Sequence, residues 1–202
     1  MKIFCVGRNY GAHAAELNNA IPEAPVIFMK PATALLKGKD LYHPDFTNNL
    51  HYECELVLRI GKGGKSIDEK YALRYIDALT AGIDFTARDI QDDQKKKGLP
   101  WEIAKAFDNS AVTGLWQSAG NETDFKNIHF SMKKNGIEVQ AGNSADMLFS
   151  IPVLISYVSR YFTLQKGDLI FTGTPAGVGA VAQGDILEGF IEKEKVFETH
   201  VK

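Results

Sequence analysis

Cysteine is scarce. Cys5 and Cys54 are the only two in 202 residues, each sits inside an apolar run, and a disulfide scaffold is excluded. No secretory leader is recognisable at Met1 to Val6, so a reducing cytoplasm is expected. Long apolar runs are also missing. The most apolar window, Met147 to Val158, is too short to span a bilayer and is flanked by Asp146 and Arg160. Nor is there a charge excess: a formal net charge of −2 and an isoelectric point near 6.2 offer no general attraction to nucleic acid or an anionic membrane. Internal repeats and low-complexity segments are absent. The glycine-rich run Thr172 to Gly179 is neither a Walker loop, since no Gly-Lys-Ser/Thr follows, nor a dinucleotide fingerprint, since no helix follows. What remains is a chain with 45% hydrophobic residues, enough to bury a full core as one domain, 1–202. A small-molecule partner is expected.

The organising stretch is His51 to Gly61. Read as an alternating strand, it puts Tyr52, Cys54, Leu56, Leu58 and Ile60 on one face and Glu53, Glu55, Val57 and Arg59 on the other. Carboxylates two apart on a strand lie about 6.6 Å apart along it. In a shielded site they repel unless a cation lies between them. Either this face is open to water or it holds a metal, and oxygen-only ligands would select Mg²⁺, Mn²⁺ or Ca²⁺ over zinc.

Along the chain, Lys2 to Val6 reads as a buried strand, and Gly11 to about Leu17 as a helix on which His13 and Glu16 share a face. A histidine held by a carboxylate is a base near neutral pH or, equally, an exposed surface pair. Pro25 to Pro31 reads as a strand bounded by prolines, ending in Lys30, a surface lysine unless it converges on the carboxylates. Asp68 to Tyr75 is one or two helical turns. Ile76 to Asp84 is an interior strand ending in an acid that is either a helix N-cap or a third carboxylate beside Glu53 and Glu55. Lys95 to Lys97 read as the solvated end of a helix, and Trp101 to Asp108 as an irregular, site-lining segment. Asn135-Gly136 marks a hairpin. Ser150 caps an amphipathic helix through Tyr161, and the chain closes on a hairpin reaching Val201. Backbone amides of the loop after Phe171, with Thr174 beside them, could hold a substrate carboxylate.

Four blocks, in order, resemble the fumarylacetoacetate hydrolase family over nearly the whole chain. They are Tyr52-Glu53-Cys54-Glu55-Leu56; Asp84 with Ala87-Arg88-Asp89-Ile90-Gln91; Lys105-Ala106-Phe107-Asp108; and Gly167-Asp168 with Thr172 through Gly179. The start, Gly7-Arg8-Asn9-Tyr10 with His13 and Glu16, is similar to the acylpyruvase and oxaloacetate decarboxylase branch, where a His/Glu pair on a short helix closes over the site. The resemblance implies an α+β fold, a mixed β-sandwich roll with a few peripheral helices. It also implies a homodimer, Mg²⁺ or Mn²⁺ as cofactor, and Glu53, Glu55 and Asp84 as metal ligands.

The activity so implied is cleavage of a C–C bond in an acylpyruvate, a 2,4-dioxo acid, to pyruvate and a carboxylate, with oxaloacetate decarboxylation at the same site. His13 and Glu16 would form the base that activates water, and Lys105 would stabilise developing negative charge. Arg8, Gln91 and Thr174 are the expected substrate contacts. Two alternatives stand beside this: an isomerase, hydratase or decarboxylase of 2-hydroxymuconate-type diacids, and a non-catalytic, metal-stabilised binding protein.

Overall fold

The computed structural model describes residues 1–16, 21–120 and 122–202. The chain begins with β1 (Ile3–Val6), α1 (Gly11–Glu16), β2 (Ile27–Lys30) and the short β3 (Asp40–Leu41). Then come β4 (Leu50–Tyr52), β5 (Cys54–Ile60), α2 (Glu69–Ala72), β6 (Ile76–Asp84), β7 (Thr86–Ala87), α3 (Arg88–Lys97) and α4 (Glu102–Lys105). The last half holds β8 (Ala111–Thr113), β9 (Gln117–Ser118), β10 (His129–Lys134), β11 (Ile137–Asn143), α5 (Ile151–Tyr161), β12 (Leu169–Phe171), β13 (Gly179–Ala180), β14 (Ile186–Ile191) and β15 (Glu194–Val201). Leu17, expected to close the first helix, lies outside the described residues.

The principal sheet runs β2-β1-β12-β5-β6-β8, with β9 also on β6. The β1/β12 pair is parallel and the other pairings along it are antiparallel, which makes the sheet mixed. A second sheet runs β11-β10-β14-β15-β3, and a small third one β13-β4-β7. Leu56, Leu58 and Ile60 of β5 share one buried cluster with Leu79 and Ile83 of β6, Phe130 and Met132 of β10 and Leu187 of β14. That shared core holds the two larger sheets together as a mixed β-roll. Ile151, Ile155 and Val158 of α5 add one helical stripe to it. The expected Asn-Gly turn is present, with Asn135 and Gly136 both at positive φ between β10 and β11. Among the described residues no helix is long and apolar enough to cross a membrane.

The organising stretch departs from a plain alternating strand. It breaks at Glu53, between β4 and β5. The face carrying Val57 is no solvent face either, because Val57 packs with Ile3, Cys5, Leu169 and Phe171 in a second buried cluster. A strand in the middle of a sheet that is covered on both sides reads as a continuous apolar run. The carboxylates of β5 are therefore interior groups.

Candidate active site

Glu53, Glu55 and Asp84 are 5%, 1% and 1% exposed, and each offers a carboxylate oxygen within 4.8 Å of the other two. Pairing of β5 with β6 sets Cys54 opposite Ile83 and Glu55 opposite Gly82, which brings the two strand ends together. The break at Glu53 is held by hydrogen bonds. Asp84 N–H donates to the Glu53 carbonyl at 2.8 Å. The Cys54 N–H donates to Gln140 Oε1 at 2.8 Å, while Gln140 Nε2 donates to Thr174 Oγ1 and the Pro175 carbonyl at 2.8 and 2.9 Å. One buried amide on β11 thus ties the strand break to the glycine-rich loop.

Three cations face the three acids. Lys105 Nζ donates to Glu53 Oε2 at 2.7 Å, Asp84 Oδ2 at 2.9 Å and Thr86 Oγ1 at 2.6 Å, which uses all three of its N–H groups. Arg88 Nη2 bonds Glu53 Oε1, and Arg88 Nη1 donates to Gln91 Oε1 at 2.6 Å. Lys30, expected at the surface, is 1% exposed. Its Nζ lies 2.8 Å from Asp84 Oδ1 and donates to Ser110 Oγ at 3.0 Å and to the Lys105 carbonyl. The lysine is inside because the sheet ends beside Asp84, where burying one charge alone would be costly.

Among the described residues, Glu55 has no such partner. It accepts the Gly173 N–H at 2.7 Å. Burial, then the charges of Asp84 and Glu53, push its carboxyl well above the usual range. Burial also opposes ionisation of Glu53, but Lys105 and Arg88 outweigh it and hold that carboxyl well below its ordinary value. The same acids raise Lys105 against the opposing effect of its burial.

A divalent cation suits this donor set. The ligands are all carboxylate oxygens, Glu55 lacks a counter-charge, and Asp84 Oδ1 is buried without a hydrogen bond, since Lys30 approaches it off the bonding direction. Such unmet groups are what a hard cation satisfies.

The triad opens on a crevice lined by Gly7, Arg8, His13, Glu53, Arg88, Gln91, Lys95, Trp101 and Lys105. Its volume is about 10 Å³. His13 is buried, and its Nδ1 lies 3.3 Å from Glu16 Oε2. The Gly177 N–H donates to Glu16 Oε1 at 3.1 Å, linking α1 to the glycine-rich loop.

Of the residues expected from sequence, the structure gathers Glu53, Glu55, Asp84, Lys105, His13, Glu16, Arg8 and Gln91 in or beside this crevice. Thr174 is placed differently. Its hydroxyl donates to the Cys54 carbonyl at 2.8 Å and accepts from Gln140, so it forms the wall behind the triad instead of facing a substrate carboxylate. The Gly173 amide, aimed by a φ of +102°, serves Glu55 in the same way. Asp84 is not a helix cap: α3 starts after Ala87 and has no side-chain cap. Sequence reading places Lys30 at the surface unless it meets the carboxylates, as it does, and does not single out Arg88, Gln140 or Lys95 for the site. Only for Arg88 and Lys95 was there a signal, since with Gln91 they repeat at helical spacing.

Residues 2–202 match the family model described as fumarylacetoacetate (FAA) hydrolase C-terminal. The mitochondrial oxaloacetate tautomerase FAHD1 of Bos taurus is 43% identical over 190 residues, covering 94% of this chain and 86% of that protein. The crystal structure of fumarylpyruvate hydrolase from Pseudomonas aeruginosa, in complex with Mn²⁺ and pyruvate, superposes with a TM-score of 0.94 at 39% identity, covering 100% of this chain and 89% of that one. The 5-carboxymethyl-2-hydroxymuconate delta-isomerase from Mycobacterium smegmatis has a TM-score of 0.85 at 34% identity, covering 99% and 78%. With a family match spanning almost every residue and these likenesses to enzymes, the chain belongs to the fumarylacetoacetate hydrolase family.

Proposed function

We propose that this protein is a divalent-metal-dependent hydrolase that cleaves the C–C bond of acylpyruvates, giving pyruvate and a carboxylate, and that the same site decarboxylates oxaloacetate. The observation that carries this reading is the His13–Glu16 pair, whose imidazole lines the same crevice as Glu53 and Lys105. Mg²⁺ or Mn²⁺ held by Glu53, Glu55 and Asp84 would supply Lewis acidity toward the carboxylate and ketone oxygens of a 2-oxo acid.

The remaining tasks belong to the chain. Lys105 directs its ammonium group to where negative charge develops on the 2-oxo oxygen. Glu16, held by His13 and the Gly177 N–H, takes a proton from water, and the water oxygen attacks the outer carbonyl carbon. Collapse breaks the C–C bond on its pyruvate side. The acyl group leaves as a carboxylic acid, and the pyruvate fragment, released as its enolate, takes a proton at carbon to become pyruvate. Arg8 and Gln91, which line the crevice, would hold the substrate's oxygens. A homodimer is part of this proposal, checked by mass in solution.

A second reading, keto–enol tautomerisation of oxaloacetate, is favoured by the activity in the name of the Bos taurus relative. It needs only proton transfer between carbon and oxygen, a task the same Glu16 carboxylate can perform. Pyruvate release from acetylpyruvate and from oxaloacetate, with Mg²⁺ and with chelator, separates the two when enol oxaloacetate is followed by absorbance. In Glu16→Ala, metal binding is expected to persist while acetylpyruvate cleavage falls about 10²- to 10⁴-fold. Unchanged cleavage in that variant overturns the hydrolase reading, and wild-type protein that binds metal and 2-oxo acids without turning any over is a binding protein.

A further inference from the structure

One cation in the crevice wall has no task in this reaction. Arg88, Gln91 and Lys95 of α3 all line the crevice. They are spaced i, i+3 and i+7, so they form one stripe on the helix. At about 1.5 Å of rise per residue, the Lys95 Cα lies roughly 10 Å beyond that of Arg88 along the axis. Arg88 is bound to Glu53, so the stripe begins at the acidic triad, and Lys95 is its far end along the helix.

The charges do not balance along that stripe. Around the triad, Lys30, Lys105 and Arg88 all pair with Glu53 or Asp84, and none of them with Glu55. Lys95 and Arg8 line the same crevice, and among the described residues neither makes an ion pair. Asp92, one turn back on α3, points its influence at Lys95 without contact. Lys95 is nevertheless half-buried, with its ammonium 5.9 Å from the centroid of the Trp101 ring. Burial first, and then Arg88, hold its pKa below the usual lysine value. A half-buried ammonium that lines the crevice beside an arginine, with Asp92 and Glu53 acting on it and no ion pair among the described residues, is a site for an anion brought from outside.

We propose that Lys95 is the specificity-determining residue for the far end of the substrate, recognising a second carboxylate and so selecting short 2-oxo dicarboxylic acids over 2-oxo acids with a neutral tail. This rests on the proposed function for one point, that the 2-oxo acid end is seated at the triad, and within that function it favours oxaloacetate and acylpyruvates that end in a carboxylate over acetylpyruvate. Arg8, across the crevice, adds to the same positive field.

Binding is measured by calorimetry with Mn²⁺ present, using 2-oxoglutarate and 2-oxopentanoate, chains of equal length that end in a carboxylate or a methyl group. Wild-type protein is expected to favour the diacid about ten- to a hundredfold, the effect of one hydrogen-bonded charge pair. Lys95→Met should bring that ratio close to one, and Lys95→Arg should retain most of it. In turnover of oxaloacetate, Lys95→Met should raise KM by more than it lowers kcat. The same diacid preference in wild type and Lys95→Met, or binding of neither acid by wild type, overturns the assignment. Diacid preference lost in Lys95→Met from a protein that turns over neither oxaloacetate nor acetylpyruvate supports the role of Lys95 and counts against the reaction alone.

Discussion

Lys30 sits in the protein interior because Asp84 is there, and the converse also holds. Its ammonium faces Asp84 Oδ1 and the Ser110 hydroxyl, with no water-exposed surface. Replacing both charges with apolar groups is tolerated in many proteins, but removing one partner leaves the other buried and uncompensated. Lys30→Met is therefore expected to lower stability by about 3–5 kcal/mol, read by urea unfolding in chelator. A loss within about 0.5 kcal/mol, the range of surface substitutions, would mean that Asp84 is served by Lys105 alone. Sequence could not place this lysine: it ends a strand of four residues, and its partner is more than fifty positions away. The Glu-x-Glu spacing was legible, because two carboxylates in an apolar strand are a local pattern. Their burial was not, since it depends on the second face of the principal sheet being covered, where Val57 clusters with Ile3, Cys5, Leu169 and Phe171 and with Leu35 and Trp116 packed against them.

At the scale of elements, α3 joins the site to the surface. Its stripe of Arg88, Gln91 and Lys95 faces the crevice, while its first turn is anchored on the other side by Asp89. Asp89 Oδ1 accepts from Thr47 Oγ1 at 2.6 Å, and Oδ2 accepts from Asn48 N–H at 3.0 Å. Burial opposes ionisation of Asp89, but those bonds together with the Ile90 N–H outweigh it and lower its pKa. The sign follows directly. A carboxylate whose folded pKa is depressed contributes stability above its unfolded value and loses it as pH falls through the folded one. Asp89→Asn is expected to cost about 1 kcal/mol at neutral pH. The gap to wild type should narrow below about pH 4, where the unfolded carboxyl protonates. A gap that is constant from neutral to acid pH would remove charge from the account of this anchor. The helix itself was only partly legible: Lys96 and Lys97 are exposed as expected of a solvated end, whereas Lys95 turns inward because residue 95 falls on the stripe of 88 and 91.

For the whole molecule, the triad is a junction of distant segments. Its acids come from β5, the β4/β5 break and β6. Its cations come from β2, α3 and α4. A cation bound there cross-links the centre of the principal sheet, and any ligand that prefers the folded state adds stability by mass action. Mg²⁺ or Mn²⁺ at about a hundred times its dissociation constant should add about 2.7 kcal/mol. Thermal unfolding should show a raised Tm that chelator reverses, and Glu55→Gln should abolish the increase. A Tm indifferent to both metals would exclude the triad as their site.

The sequence by itself determined the elements whose signals are local: the interior strand Ile76–Asp84, the Asn135-Gly136 hairpin, the amphipathic helix after Ser150, and the spacing of Glu53 and Glu55. Periodicity and turn chemistry act over a few residues, so they can be read without a fold. The tertiary structure alone decided which charges meet. It broke the strand at Glu53, buried Lys30 against Asp84, closed the Thr174 hydroxyl into the wall and left Lys95 without an ion pair among the described residues. Each of those outcomes depends on contacts between segments far apart in the chain, where the cost of an unpaired buried charge selects the arrangement and leaves no local trace in the sequence.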